Sequence, residues 1–589
     1  MHTLPEISLD QRTYIAGLFQ DKRIRNKKLR EYLHLSDVKY HQTSQIEDIN
    51  VILNNSVNSE EAKKYGITYT PFTVVKYMYE KVLGNDVSAN TILTHKIGDL
   101  SAGNGVFFVA LIVLLKEKTN FSVKYFIEEK LFAYELFDES AQWFKLILML
   151  ITEYYGEDST SLHINIFVGD TIQYFLSRNI EFDFDLIVGN PPYVKQQNID
   201  KETRNILTTN FTSIEANYNM YYAFIEMALS VVKDTGRTLL LVPNYLLKIK
   251  SAQSLRKILL TDNSLERIID FQSTKLFDDI DTYSIILQTK SNSSYLNYKI
   301  LNSLDDKNES NLPWTSVASR NINSETINLL TNDEQIFIDH IAEQPNELVI
   351  STGIATLKDR AYLIDYVEDG KFIKLYDGKK YEIDSRYVVP ITKGSTNSKT
   401  ESTDLNTMKF IIYPYKLICG QATLVPLNEI RENDPTLYEY FNTIRGVLET
   451  RSGSYSEENW HQFGRSQALS RFDSKIVFPT NSDIPKFRFV SEWSLFYNGY
   501  AVFGLKNIEA TDSLLQALTV ILNSSITKKF MLLTSYYIGG GYVSYQKKYL
   551  EKFRIPELTP QSVVKLIDIR DASRDIIDSF VADLYGFKK

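Results

Sequence analysis

Short apolar runs alternate with longer amphipathic stretches between about Tyr65 and Lys290, and this alternation constrains the fold more than any other feature. Short apolar runs bounded by turn residues are typical of buried strands, whereas longer stretches with a 3.6-residue period are typical of helices. Strands that alternate with helices predict an α/β fold with a doubly wound, mixed sheet that resembles a Rossmann fold. The predicted strands are HKIGDL (95–100), LFAYEL (131–136), INIFVGD (164–170), FDLIVGN (184–190), TLLLVPN (238–244), LERIIDF (265–271) and TYSIILQT (282–289).

The character of the sequence changes along the chain, which predicts three parts. Residues 1–60 are helical and polar in pattern, residues 61–295 carry the strand–helix alternation, and residues 296–589 mix short strand-like and helical runs between polar loops. The last part is therefore predicted to be an α+β region. Within the α/β part, the last two predicted strands are joined by the short segment KLFDDID (275–281), which predicts an antiparallel strand at the sheet edge.

Composition narrows the classes of protein that remain. The chain has 589 residues, 65 basic and 73 acidic side chains and a net charge of −8, which argues against a uniformly basic nucleic-acid coat but leaves room for a local basic groove. Its one cysteine, Cys419, excludes a disulfide framework and a cysteine-cluster metal site, so no metal is expected. The longest apolar run, Val106 to Leu115, is too short to span a bilayer, and the N-terminus lacks a signal pattern. We therefore expect a cytoplasmic protein that makes no membrane contact.

A basic segment lies near the N-terminus. Asp21–Arg30 (DKRIRNKKLR) carries six positive and one negative side chain. A solvated helix face is the simpler interpretation, and an arm that contacts phosphates is the alternative.

Polar or glycine residues follow each of the first three predicted strands. Gly98-Asp99-Leu100-Ser101-Ala102-Gly103-Asn104-Gly105 leads into a helix, and its glycines permit a close approach to a ligand. The third glycine of a dinucleotide fingerprint is replaced by Phe108, which argues against NAD. Glu135 ends the second strand, where an acid commonly binds ribose hydroxyls, and Asp170 ends the third. Each of these features alone is also common in turns and helix caps.

The fourth strand ends in Asn190-Pro191-Pro192-Tyr193, which is the most specific signal in the chain. Asn-Pro favours turn initiation, so a plain turn is the alternative interpretation. The position of the tetrapeptide, at a strand end in register with the other three sites, favours a catalytic motif.

With these motifs the sequence resembles the adenine-N6 DNA methyltransferases of the gamma class, with TaqI-type or Eco57I-type architecture. The match is motif by motif over the α/β part and more diffuse in the C-terminal region. The resemblance implies S-adenosylmethionine as cofactor and assigns residues 61–295 to the catalytic domain and 296–589 to DNA target recognition. The family usually reads Asp-Pro-Ala-Cys-Gly-Ser-Gly at the first loop, whereas this chain reads Asp-Leu-Ser-Ala-Gly-Asn-Gly. The implied cofactor residues are Tyr69, Thr70, Pro71, Asp99, Ala102, Gly103, Glu135, Asp170 and Asn190.

The catalytic residues that the resemblance implies are Asn190 to Tyr193, and their chemistry suits an adenine amine. The Asn190 side-chain oxygen and the Pro191 carbonyl can accept both amine protons and direct the nitrogen lone pair at the methyl group. Pro191 and Pro192 fix the carbonyl direction and offer no competing N–H. Tyr193 supplies an aromatic face for a base, worth about 1–3 kcal/mol.

A base inside a duplex cannot reach such a motif, so the target must be flipped out. Phe277 is a candidate second aromatic contact to the flipped base, with a core role as the alternative. Sequence reading falls to the C-terminal region, where two stretches combine basic and aromatic residues. One stretch contains Arg451, Trp460, His461, Arg465 and Arg471. The other contains Gly539, Gly540, Gly541, Tyr542, Tyr545, Lys547 and Lys548. From these, the predicted DNA contacts are Arg465, Gly540, Tyr542, Tyr545, Lys547 and Lys548.

Several alternatives stay open at this point. A methyltransferase with the same motif could act on RNA or on a protein glutamine, although such enzymes lack a C-terminal extension of this size. A fused nuclease would need more than residues 1–60, so any restriction endonuclease is expected to be encoded separately. A DNA-binding scaffold with an inactive methyltransferase fold is disfavoured by the intact tetrapeptide. We therefore expect an enzyme of restriction–modification or phage defence that binds double-stranded DNA and can work as a monomer.

Overall fold

The chain folds into two compact units, residues 1–329 and 330–589. The computed structural model describes residues 4–35, 44–52, 70–83, 88–178, 183–261, 264–277, 283–301, 313–394, 409–453, 455–538 and 541–587. Among these residues, none of the helices combines the length and apolarity that a bilayer crossing requires.

The first unit is built on a nine-stranded mixed sheet. Its strands are β1 Ile97–Asp99, β2 Leu131–Glu135, β3 Asn165–Val168, β4 Phe184–Gly189, β5 Val232–Pro243, β6 Leu265–Lys275, β7 Tyr283–Thr289, β8 Tyr295–Ile300 and β9 Thr315–Ala318. Their order in the sheet is β3-β2-β1-β4-β5-β7-β6-β8-β9. The first five are parallel, β7 is antiparallel to both β5 and β6, and β6 is parallel to β8. The predicted doubly wound, mixed α/β sheet is confirmed.

One detail of the predicted sheet is wrong. Strand β7 is antiparallel as expected, but it lies between β5 and β6 rather than at the edge. The edge on that side is β9, because β8 pairs in parallel with β6 and β9 then pairs antiparallel with β8. The sheet therefore continues past residue 295, where the sequence suggested a domain boundary.

Helices cover both faces of this sheet. They are α1 Leu9–Leu18, α2 Lys27–Leu33, α3 Ile49–Ile52, α4 Phe72–Met78, α5 Ala89–Ile92, α6 Val106–Lys118, α7 Val123–Lys130, α8 Asp138–Tyr154, α9 Thr171–Leu176, α10 Lys201–Asn210, α11 Tyr221–Val231 and α12 Gln253–Leu260.

Alternation along the central strands sorts their side chains into two hydrophobic cores. In β5, Leu239 and Leu241 pack in the core that contains α4, α6 and α8, whereas Leu240 and Val242 pack in the core that contains α10, α11 and α12. Successive residues of a strand point to opposite faces, so a strand that is apolar throughout must be covered on both. Helix α6 is apolar all round and is buried at every position from 106 to 115, as expected for an internal helix.

The N-terminal segment packs on the first core and is not a separate arm. The backbone N–H groups of Arg25 and Asn26 donate to the buried Glu153 carboxylate at the end of α8. Asn50 and Asn104 exchange side-chain to carbonyl hydrogen bonds of 2.9 and 3.0 Å. The basic segment around Arg25 is thus anchored through its backbone, and its predicted phosphate contacts stay a prediction.

The second unit is an α+β fold of small sheets and helices around two main cores. Its sheets are β10-β22-β18-β20, β11-β12-β13, β15-β14-β21, β16-β17 and β19-β24-β23. The strands are β10 Leu348–Thr352, β11 Tyr366–Glu368, β12 Lys371–Tyr376, β13 Lys379–Ile383, β14 Val388–Lys393, β15 Lys409–Ile412, β16 Tyr415–Ile418, β17 Gln421–Leu424, β18 Lys475–Phe478, β19 Asn481–Ser482, β20 Arg488–Val490, β21 Leu495–Tyr497, β22 Tyr500–Leu505, β23 Tyr537–Ile538 and β24 Tyr542–Ser544. The helices are α13 Asn332–Ala342, α14 Asp359–Tyr362, α15 Leu427–Asn433, α16 Pro435–Glu449, α17 Asp512–Leu522, α18 Ser525–Thr534, α19 Lys547–Leu550, α20 Pro560–Asp568 and α21 Arg574–Leu584.

Gly105 fixes the turn between β1 and α6. Its φ of +78° lies in the left-handed region, and an added Cβ would lie 2.3 Å from Cδ2 of Phe144 in α8. Gly156 has a similar φ of +87°, but a Cβ there would meet only the Arg25 guanidinium at 3.5 Å. Both glycines have left-handed backbones, but only Gly105 has a close neighbour, so alanine substitutions at the two positions distinguish the cost of backbone strain from the cost of steric overlap.

We expect Gly105→Ala to lower the free energy of unfolding by about 2–5 kcal/mol, because left-handed strain and overpacking add. Gly156→Ala should cost only the strain, about 1–2 kcal/mol. Urea unfolding followed by tryptophan fluorescence measures both, since Trp143 adjoins Phe144 in α8. Equal destabilisation by the two substitutions would contradict the predicted overlap with Phe144.

Candidate active site

A cavity of about 610 Å³ lies in the first unit, where the loops after β1, β2, β3 and β4 come together. Parallel strands bring their carboxyl ends to one edge of a sheet, and ligands of such sheets bind there. The volume falls in the range of small-molecule sites. The lining residues are Leu100, Ser101, Gly103, Glu135, Leu136, Phe137, Ser140, Asp170, Thr171, Ile172, Asn190, Pro192, Val194, Gln197, Asn198, Ile199, Asp200, Thr203, Met220 and Phe224.

Glu135 joins the first two loops of the cavity. Its Oε2 accepts a 2.8 Å hydrogen bond from the Gly103 backbone N–H, and its Oε1 accepts a 3.0 Å bond from the N–H of Phe137. The φ of +53° at Gly103 lets the backbone turn toward the carboxylate. Burial raises the pKa of Glu135, and the N–H donors oppose that rise. A buried acid held this rigidly can bind the hydroxyl groups of a ribose, so the predicted role fits its position.

Asp99 lies beneath the same loop and outside the cavity lining. Its carboxylate accepts a 3.0 Å hydrogen bond from the Ser101 N–H, and it is almost fully buried. Burial raises the pKa of Asp99 to about 7, the Ser101 N–H opposes that rise, and the nearby charge of Glu135 adds to it. An added Cβ on Gly189 would lie 2.7 Å from Asp99 Oδ1, so this contact requires glycine at the end of β4. Asp99 therefore shapes the loop rather than facing the cavity.

Asp170 and Ala102 complete the predicted cofactor loops. Asp170 caps α9, and its Oδ1 accepts from the N–H groups of Ile172 and Gln173. Its side chain also lines the cavity. Ala102 is buried, and its N–H donates to the Tyr134 carbonyl at 2.9 Å, which ties the first loop to β2.

Asn190 is the first residue of the loop after β4, and it lines the cavity. Its Nδ2 donates to Thr70 Oγ1 at 3.1 Å, which turns the amide oxygen away from Thr70. The Ser101 hydroxyl donates to the Asn190 backbone carbonyl at 3.2 Å. Asn190 is thereby positioned from two sides, and the loops after β1 and β4 are joined directly.

Tyr193 is held at its hydroxyl and at its ring. The hydroxyl donates to the Leu241 carbonyl at 3.0 Å, and the ring meets Tyr221 edge-on with centroids 5.9 Å apart. Burial raises the pKa of Tyr193 well above its usual range. The cavity lining includes Asn190 and Pro192, whereas Tyr193 packs beside it against α11. Its stacking on a target base stays a prediction.

The remaining predicted residues of the first unit fall in three places. Thr70 is buried against Asn190, and Pro71 caps α4. Tyr69 lies outside the described residues. Phe277 is 6% exposed and packs in the first hydrophobic core, so the core interpretation replaces its predicted contact with a flipped base.

Sequence reasoning missed the segment 194–203, which supplies one wall of the cavity. Asp200 starts α10 by accepting from the Thr203 N–H at 2.9 Å, and hydrogen bonds from Thr203 lower the pKa of Asp200. The available signal was position, because this segment directly follows the Asn-Pro-Pro-Tyr motif. Phe137 was also missed, although it lies only two residues after Glu135.

In the second unit, burial divides the predicted DNA contacts. Arg465, Tyr542 and Lys547 are exposed, and Lys548 is half-buried with its Nζ over the Tyr549 ring. Tyr545 is 2% exposed and packs in a core cluster, so it supports the fold rather than contacting DNA. Gly540 lies outside the described residues.

Comparison with known proteins shows similarity to restriction-modification methyltransferases. Residues 111–277 match the family model of the Eco57I restriction-modification methylase. The type II restriction enzyme and methyltransferase RM.Eco57I of Escherichia coli is 22% identical over 469 residues, which cover 68% of this chain and 46% of that protein. This chain therefore spans a little under half the length of that relative.

Two further relatives are type II methyltransferases. M.BstVI of Geobacillus stearothermophilus is 22% identical over 585 residues, covering 90% of this chain and 98% of that protein. M.HincII of Haemophilus influenzae is 28% identical over 255 residues, 42% of each chain. Among solved structures, the type IIL restriction-modification enzyme MmeI in complex with DNA superposes with a TM-score of 0.60 at 14% identity, covering 99% of this chain and 88% of that one, which shows a shared fold.

Residues 111–277 therefore match a restriction-modification methylase domain of the Eco57I type, which confirms the resemblance predicted from the motifs and supports S-adenosylmethionine as the cofactor.

Proposed function

We propose that this chain is a DNA methyltransferase that transfers the methyl group of S-adenosylmethionine to the N6 amine of an adenine flipped out of a specific double-stranded sequence. The observation that carries the proposal is the position of Asn190, at the end of β4 and in the lining of a cavity that Glu135 and Asp170 also line. The similarity to type II methyltransferases supports DNA as the substrate. Restriction–modification or phage defence is the setting that this similarity favours.

The cavity residues suit the cofactor. Glu135 would accept hydrogen bonds from the ribose hydroxyls. Asp170 Oδ1 caps α9, so its Oδ2 would accept a hydrogen bond from the adenine amine of the cofactor. When bound, S-adenosylmethionine supplies a methyl group activated by its sulfonium charge. Gly103 allows a close approach of the backbone to this ligand.

Asn190 would position the target amine. The hydrogen bond from its Nδ2 to Thr70 orients the side chain so that Oδ1 can accept one amine proton, and the Pro191 carbonyl can accept the other. Both acceptors would favour a tetrahedral nitrogen and stabilise the positive charge that passes to it as the N–CH₃ bond forms and the S–CH₃ bond breaks, with a neutral thioether as the leaving group. The extra amine proton leaves to solvent after transfer, so the step needs no strong base.

Methyl transfer should depend on the Asn190 amide. We expect Asn190→Ala to lower the methylation rate by about 10²–10³-fold while cofactor affinity stays nearly unchanged, because the acceptor acts on the transition state. Modification-aware sequencing of plasmid DNA from cells that express each variant detects the product. The exposed Asn205→Ala in α10 is the matched control and should keep the wild-type mark.

Two outcomes would contradict the proposal. A wild-type chain that leaves DNA unmarked would point to an RNA or protein substrate. Wild-type turnover in Asn190→Ala would show that the Asn190 amide is not needed for methyl transfer.

Cofactor affinity should depend on Glu135. Glu135→Gln has one acceptor oxygen for the Gly103 and Phe137 N–H groups and for the ligand, so the Kd for S-adenosylmethionine should rise about 10- to 100-fold. Isothermal titration calorimetry measures this Kd. Glu129→Gln, at an exposed position of α7, is the control and should bind as the wild type does. Equal affinities of the wild type, Glu135→Gln and Glu129→Gln would show that the cofactor does not bind at this loop.

The raised pKa of Asp99 predicts a pH dependence of stability. Between its ordinary value of 3.8 and about 7, the folded chain holds a proton on Asp99 that the unfolded chain releases. The free energy of unfolding should therefore fall as pH rises through this window, and Asp99→Asn should lack that part of the fall. Urea unfolding of both proteins from pH 4 to pH 8 tests this. Identical pH profiles would show that Asp99 ionises normally.

A further inference from the structure

Two loops of the second unit run side by side on a common buried support. Ala355 and Arg465 form an antiparallel bridge in which the Arg465 N–H donates to the Ala355 carbonyl at 3.0 Å. The Gly464 N–H donates to the Thr356 carbonyl at 3.1 Å. We call residues 354–360 and 464–471 the paired loops.

Arg451 holds the paired loops from beneath. It is 5% exposed, and its guanidinium donates to the carbonyls of Thr356 at 3.4 Å, Gln462 at 2.7 Å and Trp460 at 2.7 Å, and to the Tyr362 hydroxyl at 3.0 Å. A buried arginine that donates to the Thr356 carbonyl in one loop and to carbonyls just before the other loop, at Trp460 and Gln462, ties the two chain segments together. Arg451 is therefore a structural support, although the sequence placed it in a DNA-contacting stretch.

The backbone of the paired loops is held in costly conformations. Leu357 and Ala468 have φ values of +58° and +55°, in the left-handed region that such residues rarely adopt. An added Cβ on Gly464 would lie 2.4 Å from Leu357 Cγ, so the leucine rests on a glycine backbone and stays 38% exposed. Strain of this kind persists where the surroundings impose it, and it is concentrated at functional sites.

The charge of the paired loops is positive in a chain that is acidic overall. They contain Lys358, Arg360, Arg465 and Arg471, and residues 459–472 contain no acidic side chain. The one acid, Asp359, accepts from the Thr356 hydroxyl and from Asn498 Nδ2. Arg360, Arg465 and Arg471 are all exposed.

We propose that the paired loops lie on a DNA duplex, with Arg465 reading a base edge and Lys358 and Arg360 contacting phosphates. This inference rests on the proposed function, since it names the surface through which the same enzyme would select its sequence. Arg465 is the base reader because its backbone is bonded to Ala355 in the neighbouring loop and its side chain is exposed, and an arginine guanidinium can donate twice to guanine. Lys358 and Arg360 flank it and supply sequence-independent attraction.

Duplex binding measured by fluorescence anisotropy over a salt series tests the phosphate contacts. We expect the double variant Lys358→Ala, Arg360→Ala to bind a labelled mixed-sequence duplex more weakly and to lower the slope of log K against log salt by about two. Arg386→Ala is the matched control, because this exposed arginine of the same unit is already held by Asp384 and Asn433. Wild-type affinity and salt slope in the double variant would overturn the proposal.

Modification-aware sequencing tests Arg465. Arg465→Ala should relax the methylated motif at one position, whereas Arg386→Ala should preserve it. An unchanged motif in Arg465→Ala would overturn its role as a base reader. If the wild-type chain marks no DNA, the proposed function fails, and the anisotropy series still decides whether this surface binds a duplex. Thermal unfolding of each variant checks that the substitution leaves the fold intact.

Discussion

The hydrogen bond from the Gly103 N–H to the Glu135 carboxylate joins the two loops on which the site is built. Around it, further bonds connect neighbouring loops: Ala102 N–H to the Tyr134 carbonyl, Gly169 N–H to the Glu135 carbonyl, Thr171 hydroxyl to the Leu100 carbonyl and Ser101 hydroxyl to the Asn190 carbonyl. Strands that end at the same level make this network possible. Hydrogen bonds thereby connect all four loops of the site to one another, and precise positioning of reacting groups requires such support.

This support has an electrostatic cost. Asp99 and Glu135 are both buried at the first loop, and burial raises the pKa of each. Replacing either acid by an apolar residue would remove the acceptor for a loop N–H, and a buried unsatisfied donor costs about 1–3 kcal/mol. Glu135 lines the cavity, whereas Asp99 lies beneath the same loop and outside the lining. Perturbed acids of this kind cluster at functional sites. Glu135 therefore holds the loop together and also faces the cavity.

The sequence predicted the strand positions well because apolar runs and strand-end residues are local signals. Strand order is not local: β7 inserts between β5 and β6 through pairing that no single segment encodes, and β8 and β9 follow from that arrangement. Burial was equally hard to predict, because the sequence left both a contact role and a core role open for Phe277 and Tyr545, and both side chains lie in cores. Residues that the motifs singled out line the cavity, among them Gly103, Glu135, Asp170 and Asn190. The wall formed by residues 194–203 was not predicted, because it depends on the path of the chain after Tyr193.

The net negative charge of the chain does not show which surfaces carry uncompensated positive charge. In the hairpin of β12 and β13, Lys371, Lys379 and Lys380 each pair with a glutamate, so a lysine-rich stretch there presents little net charge. The paired loops have the opposite pattern, with three exposed arginines and one acid that is occupied by Thr356 and Asn498. A composition count treats these cations as equal. The field at a surface depends on which charges are compensated locally, so a chain with a net charge of −8 can still present a cationic face to a polyanion.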